Sequence, residues 1–261
     1  MIRQKHYLWE MNWKEAEEAF KKTTVAILPV GCLHAHGDAI LGIDNASIEE
    51  IAKRLAGKTN AIICPTIPYG PTQALLDLPG TIHVDCEVLR AMLLDVCRGL
   101  NRWGISKIVF LNGHGGNDRT MLEVGYQVRR ELGMVGVVVD WWNLIMELDP
   151  KYKEVSSIIS EPAISVALGL LDPMKAKVRT EKVSFLGEKF SEEGKFGKVG
   201  RASLTVVGIM GSERYEPTEV GKILGSKASA DLGREILDLV ADYLVELIRE
   251  LEKAKIPSFP S

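Results

Sequence analysis

The sequence predicts an α/β fold, three α/β/α layers built on a mainly parallel sheet, and two observations carry that prediction. Four apolar, β-branched runs recur along the chain: TTVAILPVG (23–31), NAIICPTIPYG (60–70), SKIVFLNG (106–113) and MVGVVVDWW (134–142). Their apolar residues are continuous instead of alternating, the pattern of strands buried on both faces, and amphipathic helical patterns separate them.

Taken in order, the first strand ends at GCLHAH and is followed by a helical pattern over about 45–57. The second closes on PYGPTQ before a helix over about 86–104, and the third on NGHGGN before a helix over about 117–132. The fourth closes on DWWN, so that Trp141 and Trp142 end a strand, one walling a pocket and the other packed in the core. Ligands of parallel sheets collect beyond the carboxyl ends of the strands, and polar, glycine-rich segments accumulate at those ends here. From about 179 to 215 the pattern gives way to stretches such as LGEKFSEEGKFGKVG, which read as a surface excursion or hairpin insertion. Apolar residues at three- and four-residue spacing through 236–251 predict an amphipathic helix stopped near Pro257.

A chain of 261 residues that is 46% hydrophobic is long enough for one large core, and a single domain over 1–261 is the simpler reading. Its 32 basic and 35 acidic residues form no basic block, so the footprint of a nucleic-acid binder is missing and a small-molecule substrate is expected. No apolar run approaches the roughly 20 residues that span a bilayer, and the N-terminal MIRQKHYLWEMNWKEAEEAF lacks a signal-peptide pattern. A cytoplasmic protein with no membrane partner is the expectation. Cys32, Cys64, Cys86 and Cys97 show no C-x-x-C spacing, which predicts buried free thiols and neither disulfides nor a structural zinc site.

Histidines supply the candidate chemistry. His34 and His36 stand two apart at the end of the first strand, so a continuing strand would point both to one side, and Asp44 follows in what reads as a short loop. His114 lies in NGHGGN, a strand-to-helix loop at the same sheet edge, whose glycines let backbone approach a ligand closely. Three of the five histidines together with a carboxylate favour a divalent metal, zinc, iron or manganese, and imidazole argues against calcium.

Several blocks resemble the creatininase (creatinine amidohydrolase) family in order along nearly the whole chain: LPVGCLHAHGDAILGID, PYGPTQALLDLPGTIHVDCEVL, SKIVFLNGHGGND and GIMGSERYEPTEVGKILG. The resemblance implies an α/β/α layered fold, a homo-oligomer with a hexamer as the plausible form, and one or two metal ions per subunit hydrolysing a non-peptide amide bond. By position it assigns metal binding to His36, Asp44 and His114, with Asp44 bridging two ions. Glu161, in IISEPAIS, would be a further ligand, although Ser160–Glu161–Pro162 also reads as a helix start. Three departures stand out: His34 occupies the place of the family's first glutamate ligand, the stretch from His36 to Asp44 is one residue short, and Ile158 occupies the place of a catalytic histidine. With Ile158 unable to deliver a proton to the leaving nitrogen, Glu161 and His83 are the candidates for that role. Of the family's branches the deformylase-like one, acting on a formamide such as a formylamino-pyrimidine nucleotide, fits these departures better than creatinine ring opening. The rival is a metal-binding relative that lost turnover and serves as a binding or assembly subunit.

Overall fold

The computed structural model describes residues 5–36, 39–76, 78–152, 155, 157–173, 198–199, 204–205 and 228–257. Four parallel strands form the central sheet in the order β2-β1-β3-β4: β1 (Val25–Val30), β2 (Ile62–Ile63), β3 (Lys107–Asn112) and β4 (Val135–Asp140). All of these lie within the runs expected to be strands. The second is much shorter than its run because Pro65 and Pro68 follow in CPTIPYG, and proline has no N–H for a ladder. Pro29 is tolerated in the central β1 because its carbonyl faces the β2 side, where Ile67 N–H donates to it at 3.0 Å, leaving the β1–β3 ladder intact.

Alternation within the strands explains why they read as unbroken apolar runs. Val25 and Ile27 of β1 and Val109 and Leu111 of β3 face one layer, built from α2 (Ile43–Leu55), α5 (Trp141–Leu148) and the long α7 (Ala230–Lys253). Ala26, Leu28, Ile108 and Phe110 face the other, built from α3 (Cys86–Asn101) and α4 (Asp118–Leu132). The α/β/α arrangement follows, since a sheet apolar on both faces must be covered on both. On α7, Ile236, Leu237, Val240, Ala241, Leu244 and Ile248 make the buried stripe, and the helix ends before Pro257 as its pattern predicts.

Several expectations need correction. Trp141 and Trp142 do not end a strand; they open α5, whose buried Trp141 and Ile145 are four apart as a helix requires. Asp44 is in no loop, because α2 begins at Ile43 behind Gly42 and places it in the first turn, where an acid favours the helix dipole. The helix around Glu161 starts at Ser157, not Ser160, so Pro162 lies inside α6 (Ser157–Ala167). Of the cysteines, Cys86 is exposed at the start of α3 and the other three are buried. An amphipathic α1 (Trp13–Phe20), capped reciprocally by Asn12 and Glu15, adds a helix the sequence reading omits. Within 179–215 the described residues are one antiparallel pair, β5 (Lys198–Val199) with β6 (Leu204–Thr205). The rest of that excursion and the GIMGSERYEPTEVGKILG block lie outside the described residues. No helix among the described residues is long and apolar enough to cross a membrane.

Candidate metal centre

Sheet register decides where the site forms. Val30, Asn112 and Asp140 stand in one row at the carboxyl edge, and the strand order reverses between β1 and β3, which opens a crevice there. The segment leaving β1 folds back on itself: Leu33 bridges Ile82, and His34 N–H donates to Leu41 carbonyl at 3.2 Å. His34 and His36 consequently lie side by side, ring centroids 3.8 Å apart, as two-residue spacing predicts. Asn112 is the hub of the β3–α4 loop. Its side chain accepts from His114 N–H at 3.1 Å and from Asn117 Nδ2 at 3.2 Å, fixing the histidine at the edge. Glycine is required at 113, where a Cβ would stand 2.4 Å from the Asp44 carbonyl oxygen, so that loop and the start of α2 could not meet.

Asp44 is the centre of the cluster and is 2% exposed. Its Oδ2 lies 3.1 Å from both His34 Nε2 and His114 Nδ1, which are themselves 3.0 Å apart. Its Oδ1 lies 3.2 Å from His36 Nε2, and the opposite ring nitrogen of His36 is 2.8 Å from Glu161 Oε2. Despite these distances, Asp44 Oδ2 and His36 Nε2 have no hydrogen bond of acceptable geometry among the described residues. Donor atoms bound to one ion at about 2.0–2.1 Å stand about 3.0–3.4 Å apart with lone pairs aimed at a common point and not at each other. Both the spacing and the orphaned buried atoms fit a divalent cation. Two donor groups share Asp44: Cys32, His34, Asp44 and His114 in one, and His36, Asp44 and Glu161 in the other.

Within the cluster, carboxylates and imidazoles set one another's protonation. Burial alone would raise Asp44, but the His36 charge and three imidazole contacts outweigh it and hold the carboxyl well below its usual range. Burial would lower His36, yet the Glu161 and Asp44 carboxylates keep the ring protonated well above the imidazole range. His34 is held down by burial, with His36 and His114 acting in the same direction against the pull of Asp44. A single proton on His36 thus does between two carboxylates what a cation would do there. Outer contacts orient the donors: His114 Nε2 meets the Pro71 carbonyl at 2.9 Å, and His34 Nδ1 meets the Ala35 carbonyl at 2.9 Å.

His83 lies outside this cluster. Its Nδ1 accepts from Thr72 N–H at 2.9 Å and its Nε2 is 3.1 Å from Asp85, so both nitrogens are taken in holding the Gly70–Thr72 loop that supports His114. The tryptophans divide: Trp141 is in the core, while half-buried Trp142 approaches the Gly115 loop. Sequence reasoning missed Cys32 as a neighbour of the cluster, and also the pair Asp118 and Asp140, joined through Asn112 Nδ2 at 2.5 and 2.8 Å. The register of β3 on β4 is the signal for that pair, and it exists only once the strands are aligned. Two surface clefts of about 410 and 700 Å³ are lined by none of the cluster residues, and it is donor chemistry that identifies this site.

A family model described as creatininase, creatinine amidohydrolase, matches residues 9–160. The chain is 26% identical to a 3-dehydro-scyllo-inosose hydrolase of Thermotoga maritima over 94% of its length and 83% of the relative's. It is 29% identical to a creatinine amidohydrolase of Pseudomonas putida over 54% of its length and 59% of the relative's. Among solved structures, one titled creatininase Mn superposes with a TM-score of 0.73 at 23% identity, covering 96% of this chain and 100% of that one. A creatininase variant of Zn-Zn type gives 0.72 at 23% identity, covering 97% and 100%. At that identity the superpositions establish a creatininase-like fold, and the family match over more than half of the 261 residues establishes the rest: the chain belongs to the creatininase (creatinine amidohydrolase) family of hydrolases.

Proposed function

We infer that the protein is a divalent-metal-dependent hydrolase of a non-peptide C–N amide bond in a small molecule, a formamide or a cyclic amide. The observation that carries this reading is Asp44, a buried carboxylate with one oxygen facing each of two donor groups and Oδ2 without a hydrogen bond among the described residues. Residues His34, Asp44 and His114 would hold one cation, and His36, Asp44 and Glu161 a second. The manganese and zinc forms of the structural neighbours support both the choice of ion and the capacity for two. When bound, such a cation brings the pKa of a water to about 7 and polarises a carbonyl.

The protein's own groups do the rest. Glu161 holds the Nδ1 side of His36, which turns Nε2 toward Asp44. The exposed backbone of Gly115 and Gly116, next to His114, would supply N–H donors for the developing charge on the carbonyl oxygen. Glu161, through the oxygen that does not meet His36, would carry the proton to the leaving nitrogen, and His83, with both nitrogens engaged, positions the Gly70–Thr72 loop. A second reading, hydrolysis at a carbocyclic ketone, is favoured by the name of the relative that spans 94% of the chain. Assembly of identical chains in one cytoplasmic, single-domain enzyme completes the proposal. Val88 and Met92 on α3 and Leu122 and Tyr126 on α4, each pair four apart, are exposed apolar stripes suited to such contacts.

Metal analysis of the purified protein, followed by assays of formate release from formamides, ring opening of creatinine and ring opening of a cyclic diketone, tests the reading. Bound transition metal that is lost in an Asp44→Ala, His114→Ala double variant, with hydrolysis of an amide substrate, is expected. Metal content unchanged in a folded double variant would overturn it, and hydrolysis confined to the ketone would select the second reading.

A further inference from the structure

We propose that Cys32 is a fourth protein ligand of the cation held by His34, Asp44 and His114, so that this half of the site is a sulfur-containing zinc site and not one built from nitrogen and oxygen alone. The inference rests on the metal-dependent reading of the cluster and adds to it a ligand that sequence spacing does not reveal. Cys32 is fully buried, and its Sγ lies within 4.8 Å of ligand atoms of His34, Asp44 and His114, which lie equally close to one another. Beside these groups its Sγ meets only backbone among the described residues, the Gly70 carbonyl at 3.8 Å, a contact at the weak limit for sulfur, and Leu33. The second, independent observation is the Asp44 Oδ2 atom, buried, without a hydrogen bond among the described residues, and facing the same space.

Local structure holds the thiol there. Asn45 Nδ2 donates to the Cys32 carbonyl at 2.8 Å, which ties residue 32 to the first turn of α2 beside Asp44. Backbone on the other side is fixed by Gly31 N–H donating to the Ile67 carbonyl at 2.9 Å. Charge gives the reason for a thiolate. With His34 and His114 neutral, Asp44 is the single anionic group facing the first cation, and it is shared with the second. A thiolate from Cys32 adds one negative charge where neutral imidazoles supply none. Loss of the Sγ proton to solvent and formation of one metal–sulfur bond balance the change without any oxidant.

The consequences are selectivity and division of labour. Sulfur with two imidazoles and one carboxylate is a zinc or cobalt donor set and a poor one for magnesium or manganese. Four protein donors are the number of a closed zinc site, whereas three are the number of one that keeps a place for a reacting molecule. On that count the second group, His36, Asp44 and Glu161, is where substrate chemistry belongs.

X-ray absorption at the zinc edge of the intact zinc-loaded protein tests the assignment without any substitution. Expected is a sulfur neighbour at about 2.3 Å, absent in Cys32→Ser and retained in Cys86→Ser, together with a near-ultraviolet thiolate-to-cobalt band in the cobalt-loaded wild type. Bound zinc with nitrogen and oxygen neighbours alone would overturn the role of Cys32 and leave the metal centre standing. Sulfur that persists in Cys32→Ser would do the same. A wild-type protein that binds no zinc or cobalt would overturn the metal reading and this inference with it.

Discussion

Asp118→Asn is expected to stabilise the metal-free protein at alkaline pH and to leave its stability in acid unchanged. Asp118 opens α4, half-buried, and its Oδ1 shares the Asn112 amide with Asp140 at 2.5 and 2.8 Å. Burial first, and then the charge of Asp140, push its carboxyl from 3.8 up to about 7. The folded chain therefore keeps a proton that the unfolded chain has lost between about pH 4 and pH 7, so stability falls as pH rises through that window and is flat above it. At about 1.36 kcal/mol per pH unit, an acid displaced that far and fully shielded from water would forfeit about 4 kcal/mol. Asp118 is only half-buried, and screening reduces the loss to about 1–2 kcal/mol. Asparagine reproduces the protonated acid: its oxygen accepts from Asn112 and its amide donates to Asp140. Urea unfolding in excess chelator, at about pH 3.5 and about pH 8.5, should show nearly equal stabilities at the lower pH and an advantage of about 1–2 kcal/mol for the variant at the higher. A difference independent of pH, or a variant less stable at the higher pH, would refute the reasoning.

Other expectations follow from the same geometry. Asp44→Asn removes the carboxylate common to both donor groups; a unit charge pair at 4 Å is worth about 4 kcal/mol at an effective dielectric of 20, so metal affinity should fall about a thousandfold in competition with a chromophoric chelator. Gly113→Ala forces a Cβ to within 2.4 Å of the Asp44 carbonyl oxygen, and a loss of about 1–3 kcal/mol should appear as a lower Tm, with weaker metal binding because Asp44 moves. Sedimentation of the wild type at micromolar concentration should show a homo-oligomer, and Met92→Lys with Tyr126→Lys should shift it toward monomer. A wild type that sediments as a monomer would remove the assembly proposal.

Local pattern determined much of this protein. Unbroken apolar runs in 23–31, 106–113 and 134–142 specify strands covered on both faces, and the two-residue spacing of His34 and His36 specifies a shared direction, because both follow from backbone periodicity alone. Strand ends are likewise legible, and the rule for parallel sheets puts the segments that carry His34, His36, Asp44 and His114 at one edge. Element ends were harder: Trp141 and Trp142 are apolar enough for either a strand or a helix, and burial of Trp141 with Ile145 decided for the helix. What only the tertiary structure decided is which groups far apart in sequence come within bonding distance. Glu161 reaches His36 across 125 residues through the packing of α6 on α2 and α7, which no local spacing encodes. Asp118 and Asp140 meet because the parallel register aligns Asn112 with Asp140, and Cys32 joins the donors because the segment after β1 folds back over Ile82. Sequence periodicity fixes the direction of a side chain along its own element, while the distance to a partner depends on how elements dock, and the chemistry of this site is set by those distances.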